Sequence, residues 1–386
     1  MKILLTSLMI VWALWTSILP AQDSTYLQRY ATPLEVAGTY EGFAAIDTVL
    51  PNYRFFFTAE EHWQSINTQI QFAFLSYLHQ KAGVRNFIVE GGYSYGFLLN
   101  RYLQTGNERL LDKVVNDIPV CPENQLALFK EIYAYNQTLP EEDHIQVTGI
   151  DLEHSAELAV QCLHTLLPKK TPHRKIARKI DKLRDLHRSD YFVEREVKSY
   201  FRSLNKDIAK REQLYRNYWG EDFPRFQMIV ENTLQGFGFD FLRLMLFPQK
   251  WQEREERMYK NFLVLQPYMK KGTYYAQFGA LHTDIKESFR WEFPSLAHRL
   301  NYFDSSPVDG QVLTISRYFR DMKPNYDRLG ESDRLHGMMD QIEKKFKNEE
   351  IVLLNLMGQE TPFPRLSQTF QFIMLLDEDL EEDRCE

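Results

Sequence analysis

The sequence predicts a three-layer α/β fold, in which a mostly parallel central sheet is flanked by helices and carries an added helical subdomain. Three observations lead there. Short apolar runs recur along the chain, stretches of helical apolar spacing separate them, and the chain lacks the period-two alternation and hairpin turns that an all-β sandwich needs throughout.

The chain opens with Lys2 and an apolar run from Ile3 to Leu19, followed by Pro20, Ala21 and a polar start at Gln22. This is the pattern of a secretory signal peptide at residues 1–21, and it predicts an exported protein, periplasmic or secreted. Tyr53 to Thr58 is an aromatic run that reads as a strand; it ends in Ala59, Glu60, Glu61 and His62, ahead of a helical repeat from Ile66 to Leu78. Asn86 to Val89 reads as a second strand, bounded by Gly83 before it and by Glu90, Gly91 and Gly92 after it. Helical spacing between Leu126 and Tyr135 stops at Pro140. The next strand, His144 to Thr148, leads into Gly149, Ile150, Asp151, Leu152, Glu153 and His154.

Residues 169–258 are rich in Arg, Lys and Glu, with Ile176, Ile180, Leu183, Leu186, Leu204 and Leu214 at helical intervals. They read as an inserted helical subdomain whose apolar stripe packs and whose charges face solvent, with Gly236 and Gly238 marking a break. Strands return at Thr273 to Phe278, Val312 to Ile315 and Ile351 to Leu356, and Phe370 to Leu376 is a further apolar run. The α/β core is therefore expected in two parts, 22–168 and 259–376, bracketing the helices. Asp and Glu crowd residues 377–386, which read as a disordered acidic tail.

Composition narrows the function. The 386 residues carry 46 Lys and Arg against 53 Asp and Glu, a formal charge of −7, so no cationic field favours nucleic acid or anionic lipid. No later apolar run reaches the ~18 residues of a membrane span, so no integral membrane domain is expected after signal removal. Cys121, Cys162 and Cys385 form neither a disulfide framework nor a zinc motif, although Cys121 and Cys162 could bridge in an oxidising compartment.

Open α/β sheets bind ligands beyond the carboxyl ends of their strands. That rule selects Glu60, Glu61 and His62 after the first strand, Glu90 after the second, Asp151, Glu153 and His154 after the third, and His282 with Asp284 after the fourth. Two imidazoles among carboxylates suit acid–base chemistry, and equally a divalent metal such as Zn, Mn or Co held by Glu60, His62, Glu90 and His282. Arg254, Met258 and Asn261 share a helix face through offsets of four and seven, so Arg254 can hold a substrate anion or brace Glu90. Tyr93, Tyr95 and Phe97 can line an apolar entrance beside Glu90 or pack the following helix. Gly91, Gly92 and Gly96 lack the spacing of a phosphate-binding fingerprint, and no Gly-x-Ser-x-Gly elbow is present.

Ala59 to His62 (A-E-E-H), Phe87 to Glu90 (F-I-V-E), Thr148 to Glu153 (T-G-I-D-L-E), Arg254 to Asn261 (R-x-x-x-M-x-x-N) and Gly279 to His282 (G-A-L-H) come in an order that resembles the erythromycin esterase-like family. That family sits within the wider superfamily of ChaN-like haem-binding lipoproteins and Tiki/TraB-like proteins. The resemblance covers roughly Tyr53 to His282. It implies an α/β core with an added helical region and a cleft in which Glu60, His62, Glu90 and His282 are central, with Asp151, Glu153 and Arg254 around them. Ala59 departs from the family's Gly-Glu-x-His style, and alanine lacks glycine's access to positive φ.

The expected function is hydrolysis of an ester, lactone or related acyl bond. His62 or Glu60 would activate water, His282 would stabilise or protonate the reacting oxygen, and Glu90 would tune both. Glu61, Tyr93, Asp151, Glu153, Arg254 and Asn261 are the expected substrate-binding or supporting residues. The alternatives are a metal-dependent peptidase and a protein that binds haem or another small ligand without catalysis. The expected partner is a small organic ester or lactone, or a peptide.

Overall fold

The computed structural model describes residues 23–117, 120–189, 192–237, 247–286, 293–319, 331–346, 350–377 and 384–385. The signal segment read at 1–21 lies outside them. The first half of the chain holds β1 (Ala31–Pro33), β2 (Phe55–Glu60), α1 (Ile66–Ala82), β3 (Val84–Gly92), α2 (Tyr93–Thr105), α3 (Glu108–Asn116), α4 (Pro122–Asn136), β4 (Gln146–Asp151) and α5 (Ala156–Thr165). Then come α6 (Arg174–Arg188), α7 (Glu194–Trp219), α8 (Phe223–Gly236), α9 (Pro248–Leu265), β5 (Thr273–Gly279) and α10 (Leu296–Tyr302). The chain closes with β6 (Val312–Tyr318), α11 (Ser332–Lys345), β7 (Ile351–Asn355), α12 (Leu366–Thr369) and β8 (Phe372–Leu376).

Among the described residues, one 8-stranded sheet has the order β1-β7-β8-β6-β2-β5-β3-β4. From β4 to β8 every neighbouring pair is parallel. β7 is antiparallel to β8, and β1 to β7. The α/β class expected from the sequence is the class observed. The short edge strand β1, with Pro33 in it, carries too little apolar pattern to be read from sequence.

Both faces of the sheet are covered, and strand alternation decides which residues face which layer. Phe56, Phe87 and Tyr275 join a core with Phe74 and Leu78 of α1, Leu98 of α2 and Phe129 of α4. Phe55, Phe57, Ile88, Tyr274 and Phe278 face the other way, against Leu163 of α5, Ile229 of α8 and Phe262 of α9. Phe55, Phe56 and Phe57 are at most 1% exposed, and each such burial contributes about 1.5–3 kcal/mol. Among the described residues no helix is long and apolar enough to cross a membrane.

β5 enters the sheet between β2 and β3, so chain-distant strand ends become neighbours. Glu60 pairs with Gly279, and Val89 with Gln277 on one side and Gly149 on the other. Glu60 and Glu90 are strand residues, whereas the sequence reading ended β2 at Thr58 and β3 at Val89. Ala59 pairs with Phe278 inside β2, where extended backbone suits alanine as well as glycine. The departure at this position therefore leaves the strand end intact.

The glycines of α2 and β4 serve close packing. A Cβ on Gly96 would stand 2.5 Å from the Gly149 nitrogen, and one on Gly149 would stand 2.0 Å from the Gly92 carbonyl oxygen. Backbone atoms cannot swing away as side chains do. Gly149→Ala is expected to destabilise the protein by at least the ~1–3 kcal/mol usual for overpacking, read as a lower urea midpoint.

Two expectations are corrected. Cys121 bonds Cys385, with their Cα atoms 5.2 Å apart, and Cys162 is a free, buried thiol. Cys162 sits in α5 within the apolar core, where Cys121 at the start of α4 does not meet it. The disordered acidic tail is corrected at its end, because Arg384 forms an antiparallel bridge with Gln64 and Cys385 is held covalently. The acidic residues 378–383, Glu386 and the break expected at Gly238 lie outside the described residues, while Gly236 ends α8.

Candidate active site

The strand ends bring Glu60, His62, Glu90, Asp151 and His282 to one edge of the sheet, and α9 adds Arg254. His62 Nδ1 lies 2.7 Å from Glu60 Oε1, and its Nε2 lies 4.0 Å from Glu90 Oε1. The His62 side chain is 46% exposed and the His282 side chain 3%, so His62 is the imidazole that meets solvent.

Arg254 ties two strands together. Its Nη2 donates to Glu90 Oε1 and to Asp151 Oδ2, each at 2.6 Å, and its Nε donates to Asp151 Oδ1 at 3.1 Å. The other Glu90 oxygen, Oε2, accepts from the Gly279 N–H at 2.8 Å. Of the two roles open to Arg254, bracing Glu90 is the one observed. Asn261, two turns along α9, donates to the Ile150 carbonyl at 2.7 Å and so fixes the helix against the end of β4.

His282 Nε2 lies 3.1 Å from Arg254 Nη1 and 3.2 Å from Glu90 Oε1, while Nδ1 contacts Glu255. Nε2 can donate to Glu90 or accept from Arg254, but one proton state cannot do both. Burial opposes charge on His282, yet Glu255 and Glu90 outweigh it and raise its pKa to about 10. The imidazolium, donating to both carboxylates, is therefore the state near neutrality.

Burial alone would raise Glu90. The charges of His282 and Arg254 win and hold its carboxyl well below the usual range. Asp151 is lowered in the same way, against burial, by Arg254 and His154. His62 is opposed by desolvation but raised to about 9 by its bond to Glu60 and by the charge of Glu90, and solvent on its open face screens part of that rise. Burial pushes Glu153 up to about 8, against the Ser94 N–H at 3.1 Å that it accepts from.

The other sequence-selected residues separate from this cluster. Glu153 caps the first turn of α2. The Glu61 side chain is exposed, and its carbonyl accepts from Asn67 at 2.8 Å. Tyr93 is 7% and Tyr95 9% exposed; the Tyr93 hydroxyl accepts from Arg225 at 2.8 Å, and Tyr95 packs on Phe129. They form no aromatic mouth beside Glu90, because the register of α2 turns these rings into the two cores. A polar cavity of about 390 Å³ adjoins Asp151 through His154 and is lined by Asp117, Glu153, Glu157 and Phe237, but by none of Glu60, His62, Glu90 or His282.

Residues that sequence reasoning missed support the cluster. Glu255 is 2% exposed and joins His282 to the first N–H of α10, Leu296, at 2.6 Å. Its signal was weak, since consecutive helix residues do not share a face and Arg254 drew the assignment. Gln277, turned so that its amide nitrogen meets acceptors, donates to Glu60 Oε2 and to the Asn67 carbonyl, each at 3.1 Å. The buried Arg317 donates to Asn67 Oδ1 at 2.5 Å.

Gly279 leaves room for the pair above it. A Cβ there would stand 3.2 Å from His62 Nε2 and 3.5 Å from Glu90 Oε2. Gly279→Ala is expected to displace the His62 ring with little loss of stability, read as a shifted His62 imidazole NMR resonance beside a melting temperature within about 2 °C of wild type.

No protein-family model matches the chain, and no curated protein sequence matches it. Solved structures do. A protein from Bacillus cereus aligns at 13% identity over 92% of this chain and 97% of its own, with TM-score 0.62. A succinoglycan biosynthesis protein aligns at 14% identity over 92% of this chain and 96% of its own, with TM-score 0.64. A mutant of the erythromycin esterase EreC, in its open conformation, aligns at 13% identity over 89% of this chain and 96% of its own, with TM-score 0.62. The chain shares the fold of these proteins across nearly its whole length.

Proposed function

We propose that this protein is an exported hydrolase of esters or lactones in which His62 is the general base. The observation that carries the reading is a solvent-facing imidazole backed by a carboxylate: His62 Nδ1 is 2.7 Å from Glu60, and the ring is 46% exposed. Neutral His62 takes a proton from water as the water oxygen attacks the acyl carbon, and Glu60 balances the imidazolium that forms. The same proton then goes to the departing alkoxide, releasing acid and alcohol. Glu90 is a poor proton acceptor because His282 and Arg254 stabilise its anion against burial. Those two cations supply the positive field for the tetrahedral oxyanion. The erythromycin esterase fold supports this reading, and the Cys121–Cys385 disulfide supports export, since such bonds persist in oxidising compartments.

A metal-assisted reading has its own observation: Glu60, His62 and Glu90 each offer a ligand atom within 4.8 Å of the others. These donors suit zinc, manganese or cobalt, which would supply an activated water. Both Glu90 oxygens, however, are engaged, one by Arg254 and one by Gly279 N–H, and Glu60 Oε1 is engaged by His62. The Arg254 guanidinium, 2.6 Å from Glu90 Oε1, also repels a second cation at that oxygen, so the metal-free route is the one we adopt.

The pH profile tests this. A general base works deprotonated, so kcat/KM is expected to rise with pH and level off near the His62 value of about 9. Exhaustive chelation is expected to leave the rate unchanged, with no stoichiometric ion seen by native mass spectrometry. A flat profile would remove His62 as base; an ion lost together with activity would establish the metal route.

A further inference from the structure

The loop that carries His62 has an unusual conformation. Trp63, the next residue, has φ 72, in the left-handed region that bulky side chains avoid, and it is 45% exposed. Such a backbone persists where its surroundings over-determine it. Below the loop, Asn67 holds the Glu61 carbonyl at 2.8 Å, and from the side Asn124 of α4 donates to the Ser65 carbonyl at 3.3 Å. Trp63 and Gln64 themselves are held by the far end of the chain. The Cys385 N–H donates to the Trp63 carbonyl at 3.0 Å, and Arg384 forms an antiparallel bridge with Gln64.

One backbone bridge is little to hold a segment in place. Here the tie is covalent. Cys385 is bonded to Cys121, 264 positions away and immediately before α4, the helix that also reaches Ser65 through Asn124. The disulfide shortens the tether between residues 384–385 and the loop, raising their effective concentration at Trp63 and Gln64 without adding contacts.

We propose that this disulfide-anchored chain end, Arg384 and Cys385, is a positioning element of the active site that holds the His62 loop in its working conformation. The inference rests on the reading of His62 as the base. It assigns the chain end a role in catalysis although neither residue meets the reacting atoms.

The test compares the wild-type chain, Cys385→Ser and a chain ending at Asp383 in two measurements. Steady-state ester hydrolysis is expected to show kcat lowered by about 10- to 100-fold with KM nearly unchanged, the size of effect that misplacing a catalytic group produces. In a His62→Ala background, adding Cys385→Ser is expected to change nothing further. Hydrogen exchange is expected to quicken at the Asn67 amide, which donates to the Gln64 carbonyl at 3.2 Å, while amides later in α1 stay protected. Should Cys385→Ser fail to fold, the folded wild type reduced by a dithiol, which becomes a disulfide as the two cysteine thiols are released, gives the same readouts. Unchanged exchange at Asn67 overturns the proposal, as does a full loss of rate that persists in the His62→Ala background. If the wild type hydrolyses no ester, the hydrolase reading fails, and the exchange measurement alone decides whether the chain end holds the loop.

Discussion

Arg254→Met is expected to lower stability by about 3–5 kcal/mol, the range seen when one partner of a buried ion pair is removed. The Arg254 side chain is 7% exposed and meets Glu90 and Asp151, themselves 11% and 0% exposed. Without the guanidinium, two carboxylates face each other across β3 and β4, with His282 beside Glu90 and His154 3.0 Å from Asp151 as the remaining partners. Methionine fills much of the same volume, so the loss reports charge more than cavity. Asp151→Asn is expected to cost less, because Arg254 keeps Glu90. Urea unfolding of the three proteins near neutrality checks both the size and the order. Equal midpoints for Arg254→Met and wild type would mean that water reaches this cluster.

His62→Ala is expected to lower kcat by about 10²–10⁴, the usual contribution of a positioned base. Its exposed side chain should leave stability within about 0.5 kcal/mol of wild type. His282→Ala is expected to behave differently. That ring is 3% exposed and lies between Glu255 and Glu90, so its removal strands two carboxylates and should cost about 1–3 kcal/mol of stability as well as activity. The split distinguishes a reacting imidazole from one that organises charge. Comparable melting temperatures for the two variants would argue against it.

Much of the fold is legible in the residues, for reasons the sheet makes plain. β2, β3 and β5 are buried on both faces, so their apolar runs need no alternation and stand out from flanking polar residues. Glu60, His62, Glu90, Asp151 and His282 are legible too, because a polar residue at the end of such a run has few places to go except the sheet edge. Glu255 is not, since its partners His282 and Leu296 come from later segments that only the tertiary fold brings to α9. The pairing of Cys121 with Cys385 is equally hidden: it joins the start of a helix to a segment 264 positions away, and spacing carries no record of that closure. Tyr93 and Tyr95 show the opposite failure, where closeness in sequence to Glu90 suggested a shared cleft and helix register sent the rings into opposite cores.

On the reading proposed above, one edge of the sheet hydrolyses acyl–oxygen bonds through His62. The measurement that reaches it most directly is the initial rate of acid release from a panel of esters and lactones at pH 9, for the wild type and for the Glu60→Ala, His62→Ala double variant. The wild type is expected to release acid from at least one substrate class, and the double variant to lose about 10² or more of that rate. Rates no higher than buffer for the wild type, or equal rates for the two proteins, would contradict it.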